Sequence, residues 1–228
     1  MPVISCIKEK LERLNERIDA AAKKGGRTLK DIRLVAVTKG ASIEAVQHAL
    51  EAGIVEFGEN RLQEAELKVP LAQAQWHMVG HLQSNKVARS VSLFSMIQSV
   101  DTVRLAERIN AEAAAQNKIM PVLLEVRISP DEEQKYGFLP EELYGAVDEI
   151  AEFSNLVVKG LMGIAPNTAD PEPRRAAFKK LKNLFSVCKT IKKERVAMEW
   201  LSMGMSDDFE VAIEEGSNMI RIGRLLFK

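Results

Sequence analysis

The chain has 228 residues, 32 basic and 32 acidic, and no region collects one sign, which argues against nucleic acid as a partner. No run reaches the ~18 apolar residues of a membrane span, and residues 1–8 lack the pattern of a secretion signal, so a cytoplasmic protein without a membrane partner is expected. With 46% hydrophobic residues one substantial core is expected, and Cys6 and Cys188, far apart and outside any metal-ligand cluster, are expected as reduced thiols.

Ile4, Ile7, Leu11, Leu14 and Ile18 recur at three and four and predict an opening helix that Gly25-Gly26 stops. Ile32 to Thr38 is nearly continuous in apolar residues, as in a strand covered on both faces. Ser42 caps a helix carrying Ile43, Val46, Ala49 and Leu50, which Gly53 ends. Gly53 to Phe57 is the second predicted strand, and Glu59 to Leu67 opens the next helix. Trp76 to Val79 is the third strand, Ser84 to Arg89 a polar helical stretch, and Phe94 to Val100 the fourth strand, after which Asp101 caps a helix with Leu105 and Ile109 inside. Pro121 to Ile128 is the fifth, followed by a loop at Ser129 to Gly137 and a helix opened by Pro140. Leu156 to Ile164 is the sixth, leading through a loop at Ala165 to Pro173 into a long helix with Phe178, Leu181, Leu184 and Cys188. Val196 to Leu201 is the seventh, Ser206 caps a helix with Phe209 and Ile213, and Met219 to Ile222 is the eighth.

Eight strands alternating with helices, with no Ser/Gly-rich linker, favour a single (β/α)8 barrel over residues 1–228, with an open doubly wound sheet as the alternative. A barrel gathers the strand ends into one site.

Lys39 closes the apolar run from Leu34 to Thr38, which places an amine where a buried strand ends. Removal from water makes an amine nucleophilic and fit for Schiff-base chemistry; the plainer alternative is a stem along the rim with its charge in solvent. Ser202-Met-Gly-Met-Ser206 and Arg221-Ile-Gly-Arg224 follow strands seven and eight, where barrels often bind phosphate. Gly204 and Gly223 would allow close approach, and Ser206 and the next helix amides would donate, although Asp207 and Asp208 oppose an anion unless they point away. Arg221 lies within an apolar strand and needs an acceptor, which Glu125, Glu199 or a ligand could supply. Asn60, His77 and His81 add polar groups after strands two and three, and the histidines fit hydrogen bonding better than zinc. Neither a dinucleotide fingerprint after the first strand nor a Gly-Lys-Ser/Thr phosphate loop is present.

Six segments in order, Val35-Ala-Val-Thr-Lys39, Phe57-Gly-Glu-Asn-Arg-Leu-Gln-Glu64, Trp76-His-Met-Val-Gly-His-Leu-Gln-Ser-Asn-Lys86, Gly160-Leu-Met-Gly-Ile164, Leu201-Ser-Met-Gly-Met-Ser-Asp207 and Ile220-Arg-Ile-Gly223, resemble the pyridoxal phosphate homeostasis protein family. The resemblance implies an α/β fold, a barrel of the alanine racemase N-terminal type preceded by an N-terminal helix. It implies that Lys39 holds pyridoxal 5'-phosphate (PLP) as a Schiff base, that Ser206, the backbone around Gly223 and the residue at Arg224 form the phosphate site, and that Arg221 faces the pyridine nitrogen. Asn60, His81, Ser202 and Met203 would line the rest. Family members often carry Thr or Ser at the position of Arg224, which leaves its side chain either a charge-assisted donor or turned outward.

PLP works best as an electron sink when its ring nitrogen is protonated against a carboxylate, and an arginine cannot accept that proton. Alanine racemase also draws a second base, a tyrosine, from a carboxy-terminal domain across a dimer interface; here the sequence stops at Lys228, and Tyr136 and Tyr144 lie in no matching motif. The expectation is therefore a monomeric protein of vitamin B6 homeostasis that holds the cofactor without robust catalysis, with PLP-dependent apoenzymes as recipients. The alternatives are a weak fold-type III enzyme acting on amino acids and, further off, a cofactor-free Schiff-base aldolase or a purely interaction-based role.

Overall fold

Strands rich in branched apolar residues on both faces must be covered on both, and the chain meets this demand by closing its sheet on itself. The computed structural model describes residues 2–71, 73–129 and 136–228, of which 2–6 and 71 are described as backbone. Eight parallel strands form a closed barrel in sequence order: β1 (Arg33–Val37), β2 (Glu56–Glu59), β3 (Gln75–Met78), β4 (Met96–Val100), β5 (Met120–Val126), β6 (Leu156–Gly163), β7 (Val196–Ser202) and β8 (Met219–Ile222). Pairing of β1 with β8, Leu34 opposite Ile220, completes the circle. Around it lie α2 (Ile43–Glu51), α3 (Leu62–Lys68), α4 (Val87–Leu93), α5 (Val103–Ala115), α6 (Leu143–Ile150), α7 (Pro171–Cys188), α8 (Phe209–Glu214) and α9 (Arg224–Phe227), and α1 (Pro2–Lys24) precedes the barrel. The expected (β/α)8 architecture with its leading helix is the one observed, and no described helix is long and apolar enough to cross a membrane.

Several boundaries differ from expectation for identifiable reasons. The second strand begins at Glu56 rather than Gly53, because Gly53 adopts a left-handed φ of 94° and makes the turn out of α2. Glu59 then belongs to the strand, fully buried, and α3 starts only at Leu62. Thr102, not Asp101, caps α5, accepting from Leu105 N at 3.2 Å. Asp208 rather than Ser206 occupies the position before α8, and α6 opens after Glu142, beyond Pro140. Asp170 caps α7, whose first residue is Pro171, so the preceding loop is shorter than expected. The side chains of Ile4 and Cys6 and residues 130–135 of the loop after β5 lie outside the described residues; Cys188 is a buried free thiol.

Two apolar clusters result, a large one between strands and helices and a small one inside the barrel built from Val35, Met96, Leu123, Met162 and Met219. The interior also holds polar groups, and their hydrogen bonds run in one direction. A guanidinium can only donate, so Arg221 Nη1 gives a proton to Ser202 Oγ at 2.7 Å, and the hydroxyl passes its own to Gln98 Oε1 at 2.7 Å. That orients the amide so that Gln98 Nε2 donates to His77 Nδ1 at 2.7 Å, leaving the imidazole proton on Nε2, 3.6 Å from Glu56. Burial holds His77 down to about 4, so the neutral ring that this chain of donors requires is the stable one.

Glu125 shares the inner face of β5 with Leu123, since residues two apart point the same way. Its carboxyl is buried, makes no hydrogen bond among the described residues, and is pushed up to about 7 by burial, with Arg221 opposing the rise and Asp101 adding to it. A carboxyl raised on folding contributes stability that is present below its ordinary value and lost as pH climbs through the folded one. Glu125→Gln, which cannot ionise, is expected to match the parent near pH 4 and to exceed it above pH 7 by roughly 3 kcal/mol, read as the difference in urea midpoint between the two pH values.

Candidate functional site

The C-terminal ends of the strands surround a cavity of about 610 Å³. Lys39, Asn60, Ser206, Arg221, Gly223 and Arg224 all line it, Arg221 from within β8 and the others from the segments after β1, β2, β7 and β8. Val37, Val79, Ile164 and Phe227 supply apolar wall between them. A second cavity of about 510 Å³ opens at the opposite end of the barrel, where Arg33 pairs with Glu56 at 3.0 Å and stacks over Trp200 at 4.1 Å. Barrel sites lie at the C-terminal ends of the strands, and those two groups already answer each other, so the first cavity is the candidate.

Lys39 stands in a tight turn rather than at the last position of β1. Ala41 N donates to Thr38 O at 2.9 Å, and Gly40 takes the left-handed φ of 70° that such a turn asks of its third residue. The lysine is exposed and its amine makes no hydrogen bond or ion pair among the described residues. Of the two expectations for Lys39, the exposed amine at the rim is the one observed, in place of the desolvated one. Asn60 is half-buried, with its side-chain amide likewise unpartnered among the described residues. Gly80 lets the next loop pass: a Cβ there would stand 2.4 Å from Asn60 O.

Arg221 forms the floor. Its guanidinium is fixed by Ser202 Oγ and by Gly163 O at 2.9 Å, and neither Glu125 nor Glu199 hydrogen-bonds it; Glu199 pairs with Lys159 at 2.8 Å. Burial lowers Arg221 to about 10, with Glu125 and Asp208 pulling the other way, so it remains a cation at neutral pH. Because Ser206 does not cap α8, its hydroxyl has no partner among the described residues and lines the cavity. The two acidic neighbours that would oppose an anion are engaged elsewhere: Asp207 pairs with Arg224, and buried Asp208 accepts from Met205 N at 2.6 Å. In α9 the amides of Leu226 and Phe227 donate to Gly223 O, and those of Arg224 and Leu225 have no intrahelical acceptor.

Three expected site residues stand apart from the cavity. Ser202 lies beneath Arg221 and acts on the floor through it. Met203 is fully buried in the main core, its backbone N–H donating to Met219 O. His81 is exposed beyond Val79, 3.2 Å from Asp101 and stacked at 3.6 Å on the ring of Tyr136, a residue to which the sequence assigns no role. Gly204 has a packing reason of its own, since at φ 98° a Cβ would stand 2.6 Å from Ala212 Cβ on α8. Gln98, the centre of the support under Arg221, escapes sequence reasoning; its one signal is an amide within the otherwise buried strand Met96-Ile-Gln-Ser-Val100.

Residues 10–228 match the family described as alanine racemase, N-terminal domain. A pyridoxal phosphate homeostasis protein of Aquifex aeolicus is 38% identical over 222 residues, covering 96% of each chain. Its counterpart in Synechocystis is 40% identical over 200 residues, 86% of this chain and 90% of that one. Among solved structures, PipY of Synechococcus elongatus with PLP bound superposes at a TM-score of 0.85 and 31% identity, covering 97% of this chain and 100% of that one. An alanine racemase of Clostridium difficile, at 16% identity and a TM-score of 0.71 over 97% of this chain and 55% of that one, shares the fold. The chain thus belongs to the alanine racemase N-terminal domain family and, within it, to the pyridoxal phosphate homeostasis proteins.

Proposed function

We propose that this protein binds pyridoxal 5'-phosphate in the cavity at the strand ends and serves in its homeostasis by taking it up and giving it back. The observation that carries the reading is the convergence there of an unpaired amine, Lys39, a fixed cation that only donates, Arg221, and an unpartnered hydroxyl, Ser206. Those groups match an aldehyde, a ring nitrogen and a phosphate respectively. When bound, the cofactor supplies an aldehyde with which an amine condenses, releasing water, and an anionic phosphate by which it is anchored.

Lys39 is the attachment point, held at the rim where another amine can reach the same place. Ser206 and the amides of Arg224 and Leu225, which follow Gly223 and have no intrahelical acceptor, anchor the phosphate. Arg224, already paired with Asp207 and exposed, contributes less. Arg221 offers donors alone, which keeps a ring nitrogen beside it an unprotonated acceptor and weakens the electron withdrawal that amino-acid chemistry needs. Among the described residues lining the cavity no side chain is a carboxyl, an imidazole or a phenol, and the amines of Lys39 and Lys228 are its acid/base groups. The arginine beside the ring nitrogen is what supports retention without robust turnover, and PLP-dependent apoenzymes are the proposed recipients.

Borohydride treatment of the protein after incubation with PLP, followed by peptide mass mapping, is expected to place a pyridoxyl phosphate adduct on Lys39 and to find none there in Lys39→Ala. An unmodified Lys39 in treated wild-type protein would reject the reading. Ser206→Ala is expected to weaken PLP retention roughly tenfold by removing one donor to an anion, and Arg224→Ala by only about twofold, both read by equilibrium dialysis. A panel of racemisation and decarboxylation assays should give no turnover above the free cofactor; turnover that disappears in Lys39→Ala would restore the enzyme alternative.

A further inference from the structure

Lys39 has no polar partner of its own among the described residues, yet charged side chains grip the peptide groups on both sides of it. On the near side, Lys68 Nζ donates to Thr38 O at 2.7 Å, and Thr38 Oγ1 donates to Glu59 Oε1. On the far side, Gly40 N donates to Glu64 Oε2 at 3.0 Å. Lys68 joins the two carboxylates, at 2.6 Å to Glu59 and 3.3 Å to Glu64, and the other Glu59 oxygen accepts from Asn60 N at 3.2 Å. One ionic cluster therefore holds the backbone at both Lys39 and Asn60, two of the cavity residues contributed by the β1 and β2 ends.

The cluster is an odd choice for stability alone. Glu59 is fully buried and Lys68 is 6% exposed, and a buried ion pair seldom outperforms apolar residues of the same size once its desolvation is counted. Its hydrogen bonds go instead to the turn that carries the lysine. A lysine stem has several free torsions, so where its amine can reach depends on how firmly that turn is set. We infer that Glu59, Glu64 and Lys68 are positioning residues that fix the Thr38–Gly40 turn and thereby aim the Lys39 amine into the cavity. The inference rests on the cofactor reading above for its purpose, though not for its geometry.

Glu64→Ala is the discriminating variant, because the Glu64 side chain is 28% exposed and its removal leaves the Lys68–Glu59 pair in place. In cofactor-free protein, amide exchange at Gly40 is expected to quicken roughly tenfold. The rate of borohydride-trappable capture of PLP should fall by about the same factor, while affinity for pyridoxine 5'-phosphate, which has no aldehyde, changes by less than about twofold. Glu64→Gln, still able to accept from Gly40, should restore both rates. Unchanged exchange and capture in Glu64→Ala would overturn the inference, as would a capture defect matched by an equal loss of pyridoxine phosphate affinity. Wild-type protein that captures nothing would instead defeat the cofactor reading, and the Gly40 exchange would still decide whether the cluster holds the turn.

Discussion

A fully enclosed guanidinium cannot shed its need for acceptors, and much of the barrel's interior is arranged to meet that of Arg221. Two of its N–H groups go to Ser202 and Gly163, and the residue lines the cavity. Because it only donates, it dictates the sense of each bond beneath it, through Ser202 and Gln98 to the tautomer of His77. Replacing any member by an apolar residue would strand a buried polar partner, and an unmet hydrogen bond there costs about 1–3 kcal/mol. The rigidity of the floor thus has the same origin as its chemical character.

Around that floor the site is assembled from residues nearly the whole chain apart. The barrel pairs β1 with β8, so Lys39 and Arg224 come to one cavity although 185 positions separate them in the sequence. Close approach of the loops depends on small residues: Gly80 admits Asn60, Gly223 sits 3.0 Å, at its notional Cβ, from Val37 O, and Gly204 brings α8 against the end of β7. The rim is set by two different devices, an ionic cluster under Lys39 and Asn60 and close packing under Ser206.

Much of this was readable beforehand. Apolar runs and their spacing located eight strands, with β8 predicted at its observed limits, because buried parallel strands leave little room for polar residues. Glu59 misled, since a glutamate after a glycine looks like the start of a helix unless its burial against Lys68 is known. Caps differ from expectation at Asp101 and Ser206 because residues one or two positions on share the same capping chemistry and only the backbone angles choose between them. Lys39, Asn60, Ser206, Arg221, Gly223 and Arg224 were named from their segments and do share one cavity. Gln98, Glu64 and Lys68 were not, because a residue that serves by holding another leaves its mark in three dimensions rather than in a motif.

The openness of Lys39 has one more consequence. An exposed amine without a polar partner among the described residues meets every small carbonyl compound in its surroundings on similar footing. In the proposed role, then, discrimination among such visitors falls to the far wall, where Ser206 and the α9 amides reward an anionic tail that dephosphorylated vitamers lack. Selectivity would lie in how long a guest stays, with admission left almost unguarded.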